Sequence, residues 1–262
     1  MKVPLNFDKM RIIIITQDEP FYLSQNLNFL LSRLSDNYQI VGAIVTNASP
    51  FGKKENFIEK ALKTKRIFGL RFFLYYAIRF IISKVFNNSV TQVLSKYGIS
   101  KIAIQGSINS EQNLKIIKSY EPDLLISILG NQIFKRPLID LAPKGCINLH
   151  TALLPKYRGL MPTFWVLKNN EKYTGVSVFF VDEGIDSGPI IVQEKIEIGN
   201  KTQQQLIKET KQIGMNLILK SIDLIDKNEL QLIENPESEK SYYSFPTPED
   251  VKEFKRIGKK FF

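Results

Sequence analysis

Among 262 residues there is one histidine, His150, in the run GCINLHTALLPKYRG (Gly145–Gly159), where an apolar strand gives way to a loop. Imidazole exchanges protons near neutrality, its unperturbed pKa being about 6.5, and sheet-based folds carry their chemistry where strands end. Asn148, two residues earlier, shares a face with His150 on an extended strand. The stretch DEGIDSG (Asp182–Gly188) follows about one helix and one strand later. An amide N–H and an imidazolium N–H aimed at one carbonyl oxygen stabilise the oxyanion formed when a nucleophile adds to that carbon. A carboxylate at Asp186 beside an imidazole favours the cation and, with a water, relays protons away from an attacking amine. This is acyl-transfer chemistry that needs no serine or cysteine nucleophile. Singly, each residue has a plainer reading: a structural histidine, a turn-forming Asp186, a core aromatic at Trp165. Order and spacing together favour a site.

These residues need a sheet to hold them. Arg11–Thr16 is a β-branched apolar run suited to a strand buried on both faces, followed by a helix over Asp18–Ser35 and a strand over Tyr38–Val45. Strands are expected at Lys101–Gln105, Asp123–Leu129 and Gly145–Leu149, with helices at Asn109–Ser119 and around Pro137–Leu141. After Pro162 come a short helix to about Asn170, two neighbouring strands at Gly175–Val181 and Pro189–Ile198, a long amphipathic helix over Thr202–Asp226 and a short strand near Leu230–Ile233. Alternating strands and helices specify an α/β, doubly wound, mainly parallel sheet. Residues 50–98 form a helical insertion within a 1–200 domain, and 201–262 add a helix, a short strand and an aromatic, basic tail.

The bulk numbers agree. A hydrophobic fraction of 44% suits one large domain. A single cysteine, Cys146, excludes an internal disulfide, and one thiol with one histidine cannot build a Cys/His zinc site, so no metal is expected. Cys146 reads as a small core residue. Met1–Lys9 lacks the apolar run of a signal peptide, which points to a cytoplasmic protein. A net charge of +10 favours phosphates, as nucleotides, nucleic acid or an anionic membrane surface. Within the insertion, Arg66–Phe86 is a basic, aromatic-rich helix too interrupted by Arg71 and Arg79 to span a membrane. It either lies in a membrane interface, packs over the sheet or forms a dimer contact.

PDLLISILG (Pro122–Gly130), GCINLHTALLPKYRG, Pro162, Trp165, GVSV (Gly175–Val178) and DEGIDSGPI (Asp182–Ile190) together resemble the folate-dependent formyltransferases, over roughly residues 100–200. That resemblance implies a Rossmann-like formyltransferase fold, a catalytic set of Asn148, His150 and Asp186, and 10-formyltetrahydrofolate as the formyl donor. It further implies that the pterin is held near Asn131, Gln132, Ile133 and Phe134 and by the loop Asp182, Glu183, Gly184, Ile185, with Leu153, Leu154 and Pro155 flanking the folate. The family often has serine where this chain has Ala152, which implies tuning, not loss of activity.

The acceptor amine is read from outside the shared core. Methionyl-tRNA formyltransferases usually add a C-terminal barrel for which this sequence leaves little length, so full tRNA recognition is disfavoured. Glycinamide ribonucleotide enzymes carry an early glycine-rich phosphate loop, whereas TQDEPFY (Thr16–Tyr22) has no glycine. By elimination the expected acceptor is an amino sugar linked to a nucleotide. The tail SYYSFPTP (Ser241–Pro248), ahead of Lys252, Lys255, Arg256, Lys259 and Lys260, offers aromatics and cations to a nucleotide, or serves as a strap or a homodimer contact. Rival readings are a methionyl-tRNA formyltransferase-like enzyme lacking the full C-terminal tRNA-binding domain, a hydrolase releasing formate, whose usual N-terminal regulatory domain Met1–Lys9 is too short to be, and a non-catalytic binding module.

Overall fold

The computed structural model describes residues 9–46, 57–85, 89–130 and 132–262. Its main sheet has six strands in the order β2-β1-β3-β4-β6-β7. β1 (Met10–Gln17), β2 (Tyr38–Thr46), β3 (Leu124–Ile128) and β4 (Cys146–His150) run parallel. β6 (Tyr173–Phe180) is antiparallel to β4, and β7 (Ile190–Glu197) is antiparallel to β6. The central strands are β-branched and apolar because both faces are covered: Ile12 and Ile14 enter one core layer, Ile13 and Ile15 the other. The chain leaves β1 to build β2 and returns to the opposite side of β1 as β3. Such a reversal opens a crevice at the carboxyl ends of the strands.

On one face lie α1 (Leu23–Leu31), α4 (Val90–Lys96) and α8 (Gln203–Asp226), whose Met215, Ile218 and Ile222 share a core with β4, β6 and β7. Thr202 caps α8, its hydroxyl accepting from Gln205 N while the Gln205 side chain returns to Thr202 N. On the other face, α5 (Glu111–Lys118) and the short α6 (Arg136–Ile139) cover Ile13, Leu125 and Cys146. A third cluster joins α7 (Pro162–Lys168), α9 (Pro248–Arg256) and Phe261 around Phe164 and Phe254. Cys146 is a free, buried thiol whose burial pushes its pKa well above the ordinary range, as suits a core residue.

Several elements differ from the sequence expectation for identifiable reasons. The first helix begins at Leu23, not Asp18, because the Glu19 carboxylate accepts from the Phe21, Tyr22 and Leu23 amides and Pro20 disfavours helix at the residue before it. Lys101–Gln105 is not a strand: one bridge joins Ala43 to Lys101, after which the Asn113 side chain takes the Gln105 and Ser107 carbonyls. Leu230–Ile233 likewise reduces to a bridge between Ile190 and Ile233. Arg66–Phe86 is not one helix: Gly69, at φ +89°, separates α2 (Phe57–Phe68) from α3 (Leu70–Val85). Residues 50–56 and 86–88 of the insertion, Phe86 included, lie outside the described residues. The tail holds the unforeseen α9, capped at Thr247, and β8 (Tyr242–Tyr243), which pairs with β5 (Arg158–Gly159).

Candidate functional site

β1, β3 and β4 end around a cavity of about 620 Å³. Its wall includes Gln17 from β1, Ser127 and Ile128 from β3, and Asn148 and His150 from β4, with Lys211 of α8 and Lys60 and Lys63 of α2 on the same lining. Asn148 and His150 reach one cavity because side chains two apart on a strand share a face. The Asn148 amide has no side-chain hydrogen bond to any described residue and lines the cavity.

His150 is only 6% exposed. Its Nε2 lies 2.8 Å from the Tyr157 carbonyl oxygen. A carbonyl only accepts, so this contact puts a proton on Nε2 and leaves Nδ1 as the variable edge. Nδ1 faces Asp186 Oδ2 at 3.5 Å, looser than a normal hydrogen bond. The ring is therefore anchored on one side and in reach of a carboxylate on the other.

Asp186 sits in the β6–β7 connection at φ +50°, a left-handed conformation that its surroundings must hold. Its Oδ2 accepts from Gly159 N at 2.8 Å, and its carbonyl accepts from the Asn235 side-chain amide at 2.9 Å. The same Asn235 Nδ2 reaches Gly188 O at 2.8 Å, while Asn235 Oδ1 accepts from Arg158 Nη2 at 2.9 Å. Arg158 also pairs with Glu237. Ser241 Oγ accepts from Tyr157 N at 2.8 Å, tying the tail to the residue whose carbonyl anchors His150. The loop is folded from within by Asp182 Oδ1, which accepts from Gly184 N at 3.1 Å and Ser187 Oγ at 2.5 Å.

The other expected ligand-binding residues are placed differently from one another. Gln132, Ile133, Phe134, Asp182, Gly184 and Ile185 line the cavity together with Asn148, His150 and Asp186. Glu183 is in the same loop but is absent from the lining, and Asn131 lies outside the described residues. Leu153, Leu154 and Pro155 are not brought to the cavity. Leu154 is buried against Phe179 and Ile190, and Leu153 packs on Gly175. Gln193 Nε2 donates to Leu154 O at 3.0 Å and Ser177 Oγ donates to Ala152 O at 2.7 Å, so that loop is fastened to β7 and β6.

Tyr157, Gly159, Lys60 and Lys63 were not singled out as site residues from the sequence, and three further residues around the cavity were not either. Lys211 is one: burial pushes its ammonium below the ordinary lysine range, with Glu19 acting in opposition. Asn235 and Ser241 are the others, in a tail whose hydrogen-bonding residues carry no periodic signal. The tail's strap role is visible in Tyr243, whose ring stacks on Tyr157 and Trp165 at 5.2 and 4.7 Å between centroids. The described residues contain no cluster of His, Cys, Asp and Glu suited to a metal ion.

A strand-end cavity lined by an amide, an imidazole and a carboxylate marks the class of α/β proteins with a polar candidate site at the carboxyl ends of their strands. Residues 83–222 match the formyl transferase family model, and the chain belongs to that family. It is 36% identical over 169 residues to methionyl-tRNA formyltransferase of Kosmotoga olearia, covering 64% of this chain and 54% of that protein. The matched part thus spans about half the length of such curated relatives. Among solved structures it is similar to a sugar 3N-formyl transferase crystallised with dTDP and 5-N-formyl-THF, at TM-score 0.57 and 21% identity, over 90% of this chain and 69% of that one. Glycinamide ribonucleotide transformylase 1 of Symbiobacterium toebii aligns at TM-score 0.61 and 16% identity, over 90% and 96%. The fold is therefore the formyltransferase fold, including its mainly parallel sheet.

Proposed function

We propose that the protein transfers a formyl group from 10-formyltetrahydrofolate to a primary amine on a nucleotide-linked amino sugar. The observation that carries the reaction is the convergence of Asn148, His150 and Asp186 on one cavity, with the imidazole anchored by Tyr157 and facing the carboxylate. The donor fits on chemical grounds: the cavity has the volume of a ligand site and an apolar stretch at Ile133 and Phe134 for a flat ring system. Gln132, Ile133, Phe134, Asp182, Gly184 and Ile185 hold it on this reading, and bound there it supplies an activated formyl carbon.

The chain's own residues then divide the work. The Asn148 amide, engaged by none of the described residues, donates to the oxygen that gains charge as the amine adds. His150 Nδ1, its tautomer set by the Tyr157 carbonyl, takes the proton released by the attacking nitrogen and would return it to the donor nitrogen that leaves as its bond to the formyl carbon breaks. Asp186 stabilises the imidazolium so formed, and Gly159 N and Asn235 keep that carboxylate aimed. Acyl transfer proceeds directly from donor to amine, which suits a buried Cys146 kept out of the chemistry.

Two features support the acceptor class. Lys60, Lys63 and Lys211 give the cavity a cationic side beside Phe21 and Phe245, a combination suited to a phosphate-bearing, base-bearing acceptor. The helix N-terminus after β1, a natural phosphate cradle, is filled by the Glu19 carboxylate. A ribonucleotide phosphate at that position meets a resident anion, against a glycinamide ribonucleotide acceptor. A second reading, formylation of methionyl-tRNA, is favoured by the sequence relatives. The test is transfer from 10-formyltetrahydrofolate to a panel of nucleotide-linked 3-amino and 4-amino sugars and to methionyl-tRNA, read by mass spectrometry. A formylated sugar supports the reading, formylated tRNA replaces its acceptor, and free formate alone makes the protein a hydrolase.

A further inference from the structure

Of the fifteen described large apolar side chains that stay exposed, eight lie on α2 and α3. On α3 they are Leu70, Leu74, Ile78, Ile81, Ile82 and Val85, between 49 and 73% exposed. Their spacing of i, i+4, i+8, i+11, i+12 and i+15 places them on one side of the helix as a continuous stripe. Amphipathic helices of globular proteins turn such a stripe inward, and monomers rarely expose a contiguous apolar patch of this kind.

The stripe cannot roll into the core, because the opposite side of α3 is already bound. Phe72 stacks on Phe68 and meets Phe261 edge-on, and Tyr75 stacks on Phe262 at 4.0 Å. Arg79 donates to Tyr22 OH at 2.9 Å, with its guanidinium among the Phe21, Tyr22 and Tyr76 rings. The outward stripe is therefore a fixed feature of the surface.

Charge selects its occupant. Residues 57–85 hold one acid, Glu59, against seven bases, and α3 has no acid. Lys65 and Arg66, exposed in the last turn of α2, and exposed Arg71 flank the start of the stripe. A second copy of the chain meeting this face across a two-fold axis sets cations against cations. An anionic lipid surface instead neutralises them while its acyl boundary takes the isoleucines, the pattern of an interfacial helix. At 16 residues α3 is too short to span a bilayer, and none of the described helices is long and apolar enough to do so. We infer that α2 and α3 dock the protein on an anionic membrane surface, with α3 lying along it. Lys60, Lys63 and Thr64 of α2 line the cavity, so one of the two docking helices is also part of the cavity wall. This docking stands apart from the transfer reaction and is read without formyl donor.

The test is sedimentation of the full chain with vesicles of phosphatidylglycerol and phosphatidylcholine, against vesicles of phosphatidylcholine alone. The wild type is expected to bind the anionic vesicles at low salt and to be released as salt rises. Ile78→Glu/Ile81→Glu is expected to lose at least about tenfold in binding, as is Arg66→Glu/Arg71→Glu, with circular dichroism and Tm showing both variants folded. Failure of the wild type to bind at low salt overturns the inference. So does undiminished binding by the isoleucine variant, which reduces the contact to general basicity. A wild-type dimer that this variant converts to monomer, without vesicle binding, makes a second copy the occupant.

Discussion

The loop that carries Asp186 and the helix α3 treat their surfaces in opposite ways. Around Asp186, four stretches of chain interlock through polar groups: Gly159 N, the Asn235 amide, Arg158 and the Asp182 turn each meet a named partner. Along α3, six apolar side chains stay 49 to 73% exposed. An addition reaction needs its dipoles fixed before charge develops, since reorienting them during the step adds to the barrier. A docking surface needs the reverse, unsatisfied area that is covered only when a partner arrives. On the two proposals, the difference separates a region built to be complete from one built to be completed.

The sharpest way to break this contrast is at the reacting groups. His150→Ala and Asn148→Ala are each expected to lower kcat by roughly 100- to 10,000-fold while the fold persists. Single-turnover transfer with circular dichroism on the same samples checks it, and near-wild-type kcat in both ends the assigned roles. Next is the brace. Asn235→Ala leaves the Asp186 and Gly188 carbonyls without their shared donor and is expected to cost about 1–3 kcal/mol of stability by denaturant titration. Its kcat should fall more than its KM changes, because the carboxylate loses its aim. Gly159→Ala tests the β5–β8 pairing: a Cβ there, at φ +93°, meets Tyr243 O at 2.3 Å. The expected loss is about 1–3 kcal/mol, with accelerated proteolysis of the tail as a second readout.

Lys211→Met probes the cationic side of the cavity. Because burial lowers the folded-state pKa of Lys211, the unfolded chain binds more protons between the folded and unfolded values, and wild-type stability rises with pH through that window. The variant, free of that buried charge, should exceed wild type in Tm near neutrality, and its advantage should shrink as the pH climbs towards the unfolded lysine value. KM for a phosphate-bearing acceptor should rise in the same variant. Smallest of all is Ile78→Glu/Ile81→Glu, expected to change stability by no more than about 0.5 kcal/mol and transfer to a dissolved acceptor not at all. A large loss of either would show that α3 is part of the folded core.

Much of this was legible in the chain. The β-branched run of β1, the apolar run of β3 and the helical spacing of α8 follow from local sterics and periodicity. The two-residue offset of Asn148 and His150 was enough to set them on one face. The failures share a cause. Lys101–Gln105 has strand composition but is drawn off by Asn113 after a single bridge, and α9 hides in a segment whose charges obscure the buried Val251 and Phe254.

By itself, then, the sequence determined the doubly wound sheet, the strand-end position of the histidine and the family likeness of the motifs, all consequences of short-range periodicity and spacing. Tertiary structure alone decided which carbonyl fixes the His150 tautomer, which amide holds Asp186 from 49 positions away in the chain, that Glu19 fills the first helix's anion site, and that α3 turns its apolar side outward. Those outcomes depend on packing between distant segments, where a short polar side chain finds its partner only after the core has brought the two together.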